Sequence, residues 1–555
     1  SLIATSSLFA YTLLGEISLI IIYLNNPRFP IFIISLIAII TTFLIDKKAR
    51  LKLSHIFIFV KDELLSIVNT KNRTIILVSI IIALITINSI GPINHPDSTD
   101  YHVGYPYQYW LQNKFFIDGN LNQGLLGIGD YTNLAFIQEG NTWLIRFIQI
   151  FTLPLISLFL IKNLKTKFLI IVLLSSPNII QWSTIGKPLF LGESVCALAY
   201  IIWRINSDQL SRKLLFVSLI SCISIKISAL LITFPILIDL LLEEFNNSQV
   251  YDFKTKNFFK LKLISYHKSI IISILVLFSI LISRYIITNN FAYPLLTNLF
   301  NKDDILINNF AKLLSIYRRD ISDLVNLFIP SKISELSNSI GLSFIILILI
   351  NLINKIRTRT LFKDRIFNIA ILQIILLLLF CQGRGDYYAV PIILIIYSSI
   401  DISLKGTFKF FKSLLLTVLA IQLFIISLFF YFSINQTILT LRDYDKNMSL
   451  ISYGYISKKY INPNIEGNIF FDIGRDVRYY YPQNYISRDR LSRCLLNNNQ
   501  DTCLENYHIN QVIAGENYID NKEKFICYEE NSIKGSRNPL NRKSINIEIC
   551  NRKLI

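Results

Sequence analysis

Charge is scarce in this sequence. Of 555 residues, 17% are Asp, Glu, Lys or Arg, against about 25% in an ordinary soluble domain, and that shortage argues against a water-soluble enzyme. The charge that is present leans positive, with 55 Lys and Arg against 37 Asp and Glu and a formal net charge of +18. In a soluble chain such a surplus points to nucleic acid; here orientation in a bilayer explains it, and no nucleic-acid partner is expected. Cys-x-x-Cys spacing is absent, which argues against a zinc site. No internal repeat or low-complexity tract stands out beyond a general Ile, Leu and Asn bias that says little about function. The first apolar run, Ser1 to Leu24, lacks a basic leader and is followed by further runs, so no cleavable signal is expected.

What the chain has in abundance is apolar length. Runs recur from Ser1 to about Ile434, and a bilayer core of about 30 Å takes roughly 20 apolar residues per helical span. Thirteen runs bounded by charge or turn residues qualify: 2–24, 29–45, 74–90, 141–161, 168–183, 187–203, 214–225, 227–241, 269–287, 341–354, 367–381, 387–403 and 413–434. Several are short, so the expectation is an all-α polytopic membrane protein of about 11–13 transmembrane helices. Orientation follows from Lys and Arg, which are retained on the cytoplasmic side. Segments 46–73, 162–167, 204–213, 243–268, 355–366 and 405–412 hold 26 of them, whereas the alternating short loops hold one each: Arg28, Lys114, Lys187, Lys226 and Arg384. That asymmetry predicts a cytoplasmic amino terminus and an extracytoplasmic carboxyl terminus. Reading 214–241 as one helix would export every later basic segment, so two short helices meeting at Lys226 are expected. Loop 288–340 is assigned outside, its five basic residues balanced by five acidic ones.

After Ile434 the hydropathy collapses, and 435–555 form a Tyr- and Asn-rich tail large enough for one small α/β or β-rich domain. Strand-like runs at Asn468 to Ile473 and Ser544 to Ile549 alternate with polar turns. Four of the seven cysteines lie here. In an external domain they suggest two disulfides, with Cys494–Cys503 and Cys527–Cys550 as the pairing by proximity among the three connectivities that four cysteines allow. In a cytoplasmic tail they would be unpaired thiols.

The first external loop, 91–131, concentrates polar chemistry, with four acidic residues and two of the five histidines, His95 and His102. Carboxylates and imidazoles directly after a span sit where a lipid head group would be. Asp97 and Asp100 are three apart, so on a helical turn their carboxyls share a face and can accept a proton or hold a divalent metal; the competing reading is a solvated loop with Asp97 as a helix cap. The other external turns supply cations, with Lys187 after Gly186, Lys226 between two short helices and Arg384 in CQGRGDYYAVP. Arg146 and Arg284 fall inside apolar stretches, where ionisable groups are costly and usually face a cavity or a partner. Lys and Arg suit phosphate oxygens, although any one of them alone also reads as a snorkelling anchor.

The run DSTDYH at Asp97 to His102, directly after a span and followed by aromatics ending in Trp110, resembles the first-loop motif of bacterial GT-C-fold glycosyltransferases, the superfamily of protein mannosyltransferases and lipid A sugar transferases. KISALL at Lys226, NNFAYPL at Asn289 to Leu295 and GRGDYYAVP at Gly383 to Pro391 follow in the family's order. The second of these lacks the family's Gly and first Pro, and the third places Asp386 where it can pair with Arg384. The resemblance implies an inner-membrane enzyme that moves a sugar from a polyprenyl-phosphate donor to a lipid, polysaccharide or protein acceptor on the outer face. It assigns the base or acceptor-positioning role to Asp97, with Asp100 second, and in some relatives a divalent metal assists the first-loop Asp. It also implies phosphate contacts from Arg384, Lys226 and Lys187, and places Tyr101, His102 and Tyr293 in the substrate pocket. Glu139, in IQEGNTW, is a further carboxylate for substrate or else a solvated span end. The competing functional class is a transporter or flippase of a lipid-linked saccharide. Such a carrier is expected to place ionisable groups at mid-membrane and to contain a repeat.

Overall fold

The computed structural model describes residues 2–45, 73–93, 95, 97–117, 121–138, 142–249, 267–293, 297–300, 304, 325–329, 339–380, 387–402, 409–472, 478–515, 518–519, 522–535 and 543–553. Most of the basic segment 46–73, Glu139 and the Arg384 turn lie outside them, as does most of loop 288–340.

Helices dominate up to Arg442. Among the described residues, five are long and apolar enough to cross a membrane: Leu2–Tyr23, Arg73–Ile90, Thr142–Asn163, Ile271–Thr288 and Lys409–Arg442. Other apolar runs form shorter helices, including Arg365–Phe380 and Ala389–Ser398. The run at 168–183 shows why: it is divided into a 3-10 turn, Lys167–Leu169, and two short helices, Ile170–Leu174 and Pro177–Thr184. Proline at the first helical position starts a new helix, because its missing N–H would be unsatisfied there in any case. The run at 214–241 breaks at Lys226, whose extended backbone (φ −155°, ψ 118°) ends Gln209–Ile225 before Leu230–Gln249 begins.

With no water to drive association in lipid, helices are held by close packing and by polar side chains that bond across interfaces. Thr5 Oγ1 meets Ser218 Oγ at 3.1 Å, Tyr11 Oη donates to the Gly129 carbonyl at 3.1 Å, and Asn88 Nδ2 donates to Thr184 Oγ1 at 3.1 Å. The last long helix, Lys409–Arg442, has 34 residues, a rise of about 51 Å at 1.5 Å per residue. It outruns a bilayer core, and its polar end carries the helix past Ile434, the residue at which hydropathy alone placed the boundary of the tail. Asp443 then caps the following helix, Tyr444–Ile451, its side chain accepting from Lys446 N at 3.0 Å.

The tail holds a five-stranded sheet of β1 Asn468–Asp472, β2 Tyr485–Ile486, β3 Ile509–Gly515, β4 Phe525–Gly535 and β5 Lys543–Arg552, in the order β2-β1-β3-β5-β4. β1 is parallel to β2 and β3; β5 is antiparallel to β3 and β4. Cys527 faces Cys550 across β4 and β5, and these two residues are disulfide-bonded, as are Cys494 and Cys503 between the helices Arg488–Leu495 and Gln500–Asn506. Successive strand residues point to opposite faces. Phe470 therefore packs with Leu491 and Leu504 on the helix-covered face, while Phe471 packs with Tyr481, Tyr485 and Ile549 on the other. That second face also receives Phe116 of the first loop, which seats the tail on the loop.

Candidate functional site

The polypeptide leaves Arg73–Ile90 and tightens into a π-helical turn over Ser98–His102, closed by Val103 N donating to the Ser98 carbonyl at 2.8 Å. Single π turns are rare and recur at functional sites. Asp97 stands half-buried at the start of the turn, and Asp100, Tyr101 and His102 are buried within it. Neighbouring helices hold the turn at its two ends. Ser98 Oγ donates to the Ile185 carbonyl at 2.5 Å, bringing it beside the Gly186–Lys187 break. Asn133 Nδ2 donates to the His102 carbonyl at 2.8 Å.

At the centre is a carboxylate–imidazole pair that local spacing does not reveal. His102 Nδ1 lies 2.6 Å from Asp130 Oδ1, both side chains being almost wholly buried. Asp130 sits in the first turn of Ile128–Gln138, and its second oxygen accepts from Gly127 N at 2.7 Å. Gly127 must be glycine, because a Cβ there would fall 1.9 Å from the Ile225 carbonyl. That close approach brings Asp130 to the end of Gln209–Ile225, and so to Lys226. Burial pushes the Asp130 carboxyl up to about 7, opposed by the Gly127 N–H and by the charges of Lys226, Arg284 and Lys187, in that order.

Three cations thus act on one carboxyl from three separate helices or turns. Lys187 is buried with Nζ 4.2 Å from the centre of the Trp182 ring. Lys226 is buried at the helix break. Arg284 donates to the Tyr293 carbonyl and, at 3.2 and 3.3 Å, to the carbonyls of Leu125 and Leu126. It thereby joins buried Tyr293 to the segment that leads into Asp130. Arg146, the other intramembrane arginine, gives its donors to the carbonyls of Asn88, Gly91, Pro92 and Thr184. Its observed contacts tie span ends together.

Asp100 has a different partner. Its Oδ1 accepts from Arg478 Nη1 at 2.5 Å and its Oδ2 from Asn122 Nδ2 at 3.0 Å. Arg478 comes from the tail and is itself buried, with its guanidinium 4.4 Å from the Tyr105 ring. Gln108 Nε2 reinforces the junction by donating to the carbonyls of Arg478 (3.0 Å) and Tyr481 (3.1 Å). Both Asp100 oxygens are thus engaged by donors, one of them cationic. That setting does not suit the divalent metal anticipated between Asp97 and Asp100, because a guanidinium beside a metal ion repels it. Among the described residues, the one cluster of three metal-ligating types is Cys527, Glu548 and Cys550, and its two sulfurs are joined to each other.

The sequence-derived residues therefore divide. His102, Lys187, Lys226 and Tyr293 gather around Asp130 and Arg284, with Tyr101 adjoining His102 at 4.0 Å between rings. Asp97 opens the same turn, and Asp100 faces the tail. Arg384 and Glu139 lie outside the described residues, but Tyr387, three residues after Arg384, donates to Ser228 Oγ at 2.6 Å, two residues from Lys226. Asp130 and Arg478 were missed because each is chosen by a partner remote in sequence. The available signals are an acid in the short GIGDYT stretch and an Arg directly before three tyrosines. No protein-family model matches this chain, and no curated protein matches it.

Proposed function

We propose that this protein is a membrane glycosyltransferase with a GT-C-like helical domain. On this reading it transfers a sugar from a polyprenyl-phosphate donor to a lipid, polysaccharide or protein acceptor on the extracytoplasmic face of a bacterial inner membrane. The observation that carries the reading is the gathering of Lys187, Lys226 and Arg284 around the His102–Asp130 pair, beside the turn that begins at Asp97. In the reaction, Asp97 removes the proton of the acceptor hydroxyl, and the freed oxygen bonds to the anomeric carbon. The bond from that carbon to the phosphate oxygen breaks, and its electron pair leaves with the lipid phosphate. A monoanionic diester becomes a phosphate monoester of higher charge, so fixed cations bind the leaving state more strongly than the ground state. Lys187, Lys226 and Arg284 supply that field, with Arg384 as the fourth. His102 and Asp130 act as positioning residues that clamp the turn.

A general base removed without disturbing its surroundings costs about 100- to 10,000-fold in rate. Asp97→Asn should therefore lose transfer by that order while its thermal unfolding matches wild type; retained activity contradicts the assignment. A carrier or flippase for a lipid-linked saccharide is the second reading. It draws on Glu16, an acid inside Leu2–Tyr23 that accepts from Ser279 Oγ of Ile271–Thr288, since ionisable groups at membrane depth mark transport paths. Movement of an intact lipid-linked saccharide across proteoliposomes, with no sugar transferred, would favour it.

A further inference from the structure

Where the first loop meets the tail there is an open groove of about 570 Å³, remote in sequence from the Lys187 and Lys226 turns. It is formed by the end of Gly104–Gln112 and the chain just after it, the start of β1, β2, the helix bearing Arg490, and the residues leading into β3. Its volume falls within the roughly 300–1,000 Å³ of small-ligand sites. Lys114, Arg490 and His508 line it, and none of the eleven described lining residues is acidic. The remainder are carboxamides, two tyrosines and a single aliphatic residue, Ile486. Arg490 holds its guanidinium 5.0 Å from the Tyr507 ring centre, and Lys114, Arg490 and His508 are all exposed to solvent.

We propose that this groove binds an acidic oligosaccharide. Each feature of the lining answers one feature of such a ligand. Carboxamides both donate and accept, and so match hydroxyl groups that do the same. A tyrosine face covers the C–H face of a pyranose, burying apolar area at little entropic cost. Arginine pairs two N–H groups with a carboxylate, and Lys114 adds a second positive charge to the lining. A neutral sugar would use the carboxamides and rings but leave the cations unanswered, whereas a bare anion would use the cations and leave the carboxamides and rings idle. None of its lining residues belongs to the transfer site, so Asp97→Asn should bind as wild type does, whether or not the protein transfers a sugar.

The test is calorimetric titration of the full chain, in nanodiscs of neutral lipid, with tetragalacturonate, uncharged maltotetraose and inorganic phosphate. Tetragalacturonate should bind at one site, at least tenfold more tightly than either maltotetraose or phosphate. Arg490→Gln and Lys114→Gln, both at exposed positions, should each weaken it about tenfold with unchanged thermal unfolding. Equal affinity for maltotetraose, equal affinity for phosphate, indifference to both substitutions, or no binding of tetragalacturonate would overturn the proposal.

Discussion

Asp130 shows how much a single buried carboxyl determines. It bonds the His102 imidazole, accepts from Gly127 N and faces three cations, while burial raises its pKa to about 7. The sign of the resulting pH effect follows from charge alone. Below neutrality the carboxyl is protonated, and Lys187, Lys226 and Arg284 present their full field to an anionic donor. As the pH rises through about 7, the carboxyl ionises and offsets part of that field. A sugar phosphodiester keeps one charge throughout this range, so the protein is the titrating party. The Michaelis constant for the donor should rise from pH 6 to pH 8 in wild type and stay flat in Asp130→Asn; a flat wild-type profile contradicts the arrangement.

Among the elements, the junction between the first loop and the tail depends most on one contact. Removing one member of a buried ion pair leaves the other charge desolvated, at a cost of about 3–5 kcal/mol. Arg478→Ala should therefore destabilise the docked tail by that order, seen as a lower unfolding temperature and faster proteolysis near Tyr479. Asp100→Asn, which keeps a hydrogen-bond acceptor for Arg478, should cost less. Equal stability of Arg478→Ala and wild type would contradict the junction. The features legible in sequence at this scale are local ones. The break at Lys226 followed from the pattern of basic loops, and the strands holding Asn468 and Ser544 followed from short apolar runs between polar turns. The two disulfides followed from spacing. Asp130–His102 and Asp100–Arg478 were not legible, since they join positions 28 and 378 residues apart and no local periodicity encodes such a pairing. Helix length departs from the hydropathy pattern where Pro177 divides the apolar run 168–183 into two short helices, whereas the break at Gly186–Lys187–Pro188 coincides with the expected boundary between runs. At Gly186 the positive φ of 85° is a backbone state glycine adopts without strain.

Across the whole molecule, long apolar helices carry a small disulfide-bonded α/β tail that closes over the motif-bearing loop. Both disulfides belong with an oxidising compartment, in keeping with an extracytoplasmic tail. In a Cys381→Ala background, which removes the thiol of the external CQGRGDYYAVP turn, a membrane-impermeant maleimide applied to intact cells should label the four tail cysteines only after reduction; labelling without reductant, or only after lysis, contradicts that orientation. Closing a loop of the Cys527–Cys550 separation, 23 residues, stabilises a domain by about 3 kcal/mol on the chain-entropy account, so reduction should also lower the tail's unfolding temperature. Transfer of label from carrier to acceptor separates a glycosyltransferase from a lipid carrier. Purified protein in nanodiscs is given polyprenyl-phosphate carriers bearing radiolabelled sugars, together with a membrane extract as acceptor. One carrier should yield a labelled acceptor and free lipid phosphate in equal amounts, in wild type and not in Asp97→Asn. Turnover of none of the carriers, or equal turnover by Asp97→Asn, would contradict it.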